Sequence, residues 1–204
     1  MRFLIESHIT IFILFYSTLM KKYIIYLLFL NISTISFGQI KSARLQASGL
    51  TCAMCAKSIY NNLIAIDAIE SVDVDLNESS FLLKFKQDKN INPDIIRKKV
   101  EDAGFSVATL DLNFTFSNKS ILPDTHFLSN GSAYHFLLPT KLIIDGQQTF
   151  RVIDKQFQTE KAYKKNANLS KLPCFATGIA SSCCIAAGIP EGARIFHLIL
   201  INKK

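Results

Sequence analysis

The sequence predicts an α+β protein, in which a ferredoxin-like βαββαβ sandwich over residues 39–112 is followed by a second, β-rich domain over residues 113–204. Three observations predict it. Four short segments before residue 113 alternate apolar and polar residues with the period of a strand, two stretches between them space apolar residues as a helix does, and a strand-turn-strand pattern recurs beyond residue 139. With 49% apolar and 19% charged residues, the chain is too apolar to be disordered.

Lys41 to Ser48 sets Ala43, Leu45 and Ala47 against Ser42, Arg44 and Gln46, a half-buried strand. Gly49-Leu50-Thr51-Cys52-Ala53-Met54-Cys55 is a turn, and Ala56 to Ile66 places Ile59, Leu63 and Ile66 on one helical face. Val72, Val74 and Leu76, then Phe81, Leu83 and Phe85 after the Asn77-Glu78 turn, make a hairpin. Asn92-Pro93-Asp94 starts a second helix: Asn caps free N–H groups, Pro fits the first helical position and Asp favours the positive dipole end. Ile96, Val100 and Ala103 form its buried face, Gly104 ends it, and Phe105 to Leu112 alternates as a final strand.

Residues 1–38 are expected to be an export signal. Met20-Lys21-Lys22 supplies the charged start, Tyr23 to Leu30 the uncharged core, and Ser36 and Gly38 the small residues before a cut after Gly38. The earlier apolar run, Ile9 to Met20, is too short to span a bilayer of ~30 Å, so Met20 is expected to be the true start. Uncleaved, the same segment would act as a membrane anchor. Either way the protein is exported to a periplasmic-type compartment, where thiols are exposed to oxidation. Five cysteines, an odd number, exclude a fully paired disulfide framework.

The Cys52-Ala53-Met54-Cys55 motif puts one thiol in a loop and the other in the first turn of a helix, so both can converge on one ion while the helix N-terminus favours their thiolates. Soft thiolates select Cu(I), Hg(II), Cd(II) or Zn(II). Two local ligands suit low-coordinate Cu(I) or Hg(II) better than zinc, which prefers four. A Cys52–Cys55 disulfide is one alternative. A thiol-disulfide oxidoreductase is another, although the chain has no Trp to stand beside the first cysteine as in thioredoxin.

The Gly49-to-Cys55 motif, the helix after it and Ala103-Gly104-Phe105 resemble the heavy-metal-associated domain, the family of copper chaperones, the amino-terminal modules of copper-transporting P-type ATPases and the periplasmic mercury-binding protein. The resemblance covers about 70 residues. It implies a ferredoxin-like fold, metal ligation by Cys52 and Cys55, and Phe105 near the metal loop as a shield. Leu50 stands where the family usually has an inward-packing Met. The resemblance also implies a metallochaperone that binds a metal ion and exchanges it with a metal transporter or another metal-binding protein, and no enzymatic activity.

The second half carries the basic excess: residues 113–204 hold 11 basic and 5 acidic side chains, against 9 and 10 in residues 41–112. Lys155, Lys161, Lys164, Lys165 and Lys171 read as a solvated helix face, and no aromatic-interleaved nucleic-acid module is present. Thr140 to Ile144, Asp145-Gly146 and Thr149 to Ile153 predict a hairpin. Gln158 to Leu169 predicts a polar helix, and Arg194 to Ile201 a buried strand. The first expectation for its cysteines is a disulfide from Cys174 to Cys183 or Cys184, because adjacent cysteines rarely bridge each other. The second is a soft-metal site of Cys174, Cys183 and Cys184, helped by His126, His135 or His197.

Overall fold

A computed structural model describes residues 21, 38–50, 52–87 and 89–201. The expected signal segment, apart from Lys21 and Gly38, and the expected start at Met20 lie outside the described residues. Among the described residues, no helix is long and apolar enough to cross a membrane.

The first half follows the predicted order: β1 (Gln39–Ser48), α1 (Ala53–Ile64), β2 (Ile69–Asp75), β3 (Ser80–Phe85), α2 (Pro93–Asp102) and β4 (Ser106–Ile121). Ala43, Leu45 and Ala47 of β1 face the core with Phe81, Leu83 and Phe85 of β3, and the helices cover that face with Ile59, Leu63, Ile96 and Val100. Asn92 caps α2, its side chain accepting from the Asp94 N–H at 2.9 Å. The strands pair as β2-β3-β1-β4, all antiparallel. Leu50 and Phe105 both pack against this core.

The expected boundary at residue 112 falls inside β4, which runs on for nine more residues. Its alternation continues through Phe114 and Phe116, so the strand keeps a buried face and gains a second neighbour. That neighbour is β7 (Leu142–Val152), followed across the sheet by β8 (Ile195–Leu200), β6 (Ser132–Phe136) and β5 (Thr125–Ser129). The result is one eight-stranded sheet, and the second half extends the first rather than folding apart from it. The Phe114 ring lies 5.6 to 6.3 Å from those of Phe127, Tyr134, Phe136 and Phe150, edge-on to each, which joins β4 to β5, β6 and β7.

The hairpin predicted at Asp145-Gly146 is absent: β7 passes through it as one strand. Gly146 (φ +68°) faces a register shift in β4, where Asn118 adopts φ +42° and its N–H donates to the Asp145 carboxylate at 2.8 Å. The Asp-Gly pair serves a bulge, which needs the same positive φ as a turn. The predicted polar helix is shorter, α3 (Glu160–Asn166), after a single 3-10 turn at Lys155–Phe157. The five lysines named above are all exposed. Two short helices, α4 (Pro173–Thr177) and α5 (Ser182–Ile185), precede β8.

At the junction, Asp111 of β4 lies directly opposite Arg151 of β7 and accepts from its guanidinium at 2.6 and 2.8 Å. Asp111 is buried, so its carboxylate depends on that fork in place of water. Arg151→Ala is expected to destabilise the protein by about 2 kcal/mol in urea unfolding. A loss below about 0.5 kcal/mol, the usual range for a surface change, would show that the pair does not tie the halves together.

Candidate metal centres

Gly49 (φ +77°) turns the chain out of β1, and Cys52 is the N-cap of α1 in an extended conformation. The cap places Cys52 Sγ 3.3 Å from the Cys55 backbone N–H, which donates to it. Cys55, one turn in, brings its Sγ to 2.7 Å from Cys52 Sγ. Both thiols are free, Cys52 exposed and Cys55 partly so. The Cys55 thiol and N–H, with the Met54 N–H, hold Cys52 below the ordinary thiol pKa, while the hydrogen bond to Cys52 pushes Cys55 up. Cys52 is therefore the first thiolate of the pair. Met54 is 74% exposed.

The three late cysteines are also free, so the expected disulfide to Cys174 is not formed. Cys174 Sγ lies 3.3 Å from Cys183 Sγ, and Cys183 Sγ lies 3.6 Å from Cys184 Sγ. Burial pushes the Cys174 thiol well up. Burial also opposes ionisation of Cys183, but hydrogen bonds from the Ser181 hydroxyl and the two neighbouring thiols outweigh it and bring Cys183 down.

His126, His135 and His197 join these thiols. They are register partners on adjacent strands, His126 opposite His135 and His135 beside His197, so they form one row across β5, β6 and β8. His126 Nε2 is 3.5 Å and His135 Nδ1 3.9 Å from Cys174 Sγ. Burial, and the neighbouring His126 and His197, lower the His135 pKa to about 4. The sequence showed no ligand spacing among these histidines, because sheet register creates it. Asp124 and Asp154, behind two of the rings, had no sequence signal as site residues. The available clue was a lone His inside each of two apolar runs, Ala133 to Phe136 and Ile195 to Leu198.

Residues 44–106 match the family model of the heavy-metal-associated domain. A curated relative, the probable copper-exporting P-type ATPase of Archaeoglobus fulgidus, is 34% identical over 62 residues, 30% of this chain. The chain spans only 8% of that relative's length. Similar solved structures include a CopZ metallochaperone, at 24% identity over 33% of this chain and 98% of that one, TM-score 0.31. The N-terminal domain of PacS from Synechocystis matches at 25% identity over 33% of this chain and 92% of that one, TM-score 0.29. The family match ends at residue 106, before β7, β8 and the late cysteines.

The split ionisation of the motif fixes an order of reactivity. Limited iodoacetamide at neutral pH is expected to label Cys52 ahead of Cys55 in peptide mass mapping. In Cys55→Ala, Cys52 labelling should shift to higher pH, since its main stabilising donor is gone. Equal labelling of the two thiols would contradict the assignment.

Proposed function

We propose that this chain is an exported carrier of a soft heavy-metal ion, Cu(I) before Hg(II), Zn(II) or Cd(II), which it takes up at Cys52 and Cys55 and sequesters or passes on. The observation that carries this reading is the pair of free thiols 2.7 Å apart at an exposed helix start. Two sulfur ligands satisfy a low-coordinate ion and leave it open on the solvent side. A partner's thiolate can then form its bond to the ion as Cys52 or Cys55 releases, so transfer needs no free ion in solution. The heavy-metal-associated match over the same residues supports it, as does the copper-exporting relative. The partner would be a metal transporter or a second metal-binding protein with thiols of its own.

Export rests on the Lys21-Lys22 segment and the small residues before Gln39. Gln39 opens β1, so a cut after Gly38 would fall at the edge of the fold. Mass spectrometry of the exported protein is expected to give Gln39 as the first residue, and a retained segment would replace the soluble carrier with an anchored one.

One observation favours a second reading. A low-pKa thiol beside a raised one also suits thiol-disulfide exchange. Both readings meet in one experiment: Cu(I) titration of the reduced chain from Gln39 against a chromogenic chelator, with the Cys52→Ser/Cys55→Ser variant alongside, and a disulfide-reduction assay on the same samples. A carrier loses one tight equivalent in the variant and shows little turnover. Turnover that vanishes in the Cys52→Ser/Cys55→Ser variant, with no copper taken from the chelator by the Cys52/Cys55 pair, would establish the oxidoreductase instead.

A further inference from the structure

We propose that Cys174, Cys183, Cys184 and His126 form a second metal site, which holds one soft or borderline d10 ion in closed tetrahedral coordination. One ligand atom from each of the four residues lies within 4.8 Å of the other three. The Cys174–Cys183 and Cys183–Cys184 sulfur separations, 3.3 and 3.6 Å, are close to the S···S edge of a zinc–thiolate tetrahedron, about 3.7 Å for a metal–sulfur bond of 2.3 Å, and His126 Nε2 lies 3.5 Å from Cys174 Sγ. Three sulfurs and one imidazole are a donor set for Zn(II), Cd(II) or Cu(I), and too soft for Mg(II) or Ca(II). Cys174 and Cys184 are fully buried, which closes the site where Cys52 and Cys55 are open.

An independent observation points the same way. His135 and His197, each with no solvent exposure, are both backed by a carboxylate: Asp124 Oδ1 lies 3.0 Å from His135 Nε2, and Asp154 Oδ1 lies 3.1 Å from His197 Nδ1. A carboxylate behind a ring fixes the tautomer and turns the other nitrogen's lone pair forward, the arrangement that supports metal-ligating histidines. His135 Nδ1 then faces Cys174, and His197 Nε2 is buried with no partner. Asp154 is itself held by Arg194 Nη1 at 2.9 Å and by the His197 N–H at 2.8 Å. His135, Cys174 and His197 also bring ligand atoms within 4.8 Å of one another. Cys174 Sγ is thus common to both groups, with two oriented imidazoles beside the tetrahedral set. Buried polar groups without partners are costly, and a row of imidazoles facing thiols is accounted for when a cation lies between them.

Strands β4, β7 and β8 lie between β1 and β6, a lateral separation of about 19 Å at ~4.8 Å per strand, so the two centres do not share an ion. The test uses the full chain carrying Cys52→Ser/Cys55→Ser, which leaves the second centre intact and makes the result independent of the carrier reading. The protein is reduced and titrated with Cd(II) alone, with thiolate-to-metal absorption and circular dichroism as readouts. One tight equivalent with a three-thiolate absorption is expected. Adding Cys183→Ser/Cys184→Ser should abolish it, and adding His126→Gln should weaken it at least tenfold while the far-UV dichroism of the folded backbone is unchanged. No tight equivalent in the reduced, folded Cys52→Ser/Cys55→Ser chain overturns the proposal. So does an equivalent that persists unchanged after Cys183→Ser/Cys184→Ser.

Discussion

Strand β4 bonds to β1 along one edge and to β7 along the other, and the placement of both cysteine clusters follows from that double pairing. Strand β4 buries Val107, Leu110, Leu112, Phe114 and Phe116, a run that continues through the stretch in which both neighbours flank it. Phe114 then packs edge-on against rings from three later strands, so the later strands rest on a surface that the first half supplies. The Asp111–Arg151 fork fixes the register of this junction. A slip of one residue would turn the aromatic face outward and separate that buried carboxylate from its cation.

On this frame the two thiol clusters meet opposite environments. Cys52 and Cys55 sit on a loop and a helix start at the surface, where water and a partner can reach them. Cys174 on α4 and Cys184 on α5 are buried beside the His row, in a small cluster with Ala133, Ala180, Ile189 and Ile195. The first arrangement favours exchange, because ligands can enter without the fold opening. The second favours retention: a closed donor set releases an ion only when the helices that carry it move. Arg194 joins the buried cluster to the first half, since it pairs with Asp94 of α2 at 3.0 Å and with Asp154 at 2.9 Å.

The first half was legible because its signals are local. Alternation marked β1 to β4, Asn92-Pro93 marked the start of α2, and two cysteines three positions apart need only one helix turn to meet. The second half depends on contacts distant in sequence. Asp145-Gly146 suggests a hairpin yet forms a bulge, because both ask the same φ of glycine and only the partner strand distinguishes them. Nothing local marks a boundary at Leu112 either, since the alternation continues through Phe114 and Phe116. The histidines carried no motif because β5, β6 and β8 align them by register, with His197 arriving 62 residues after His135 in the chain.

The proposed carrier role requires that Cys52 and Cys55 alone hold an exchangeable ion through sulfur. Copper K-edge X-ray absorption on the full chain carrying Cys183→Ser/Cys184→Ser, loaded with one equivalent of Cu(I), tests this most directly. A first shell of two sulfur scatterers and no nitrogen or oxygen is the predicted result. A shell dominated by nitrogen or oxygen would contradict the account, because the copper would then not be held by Cys52 and Cys55.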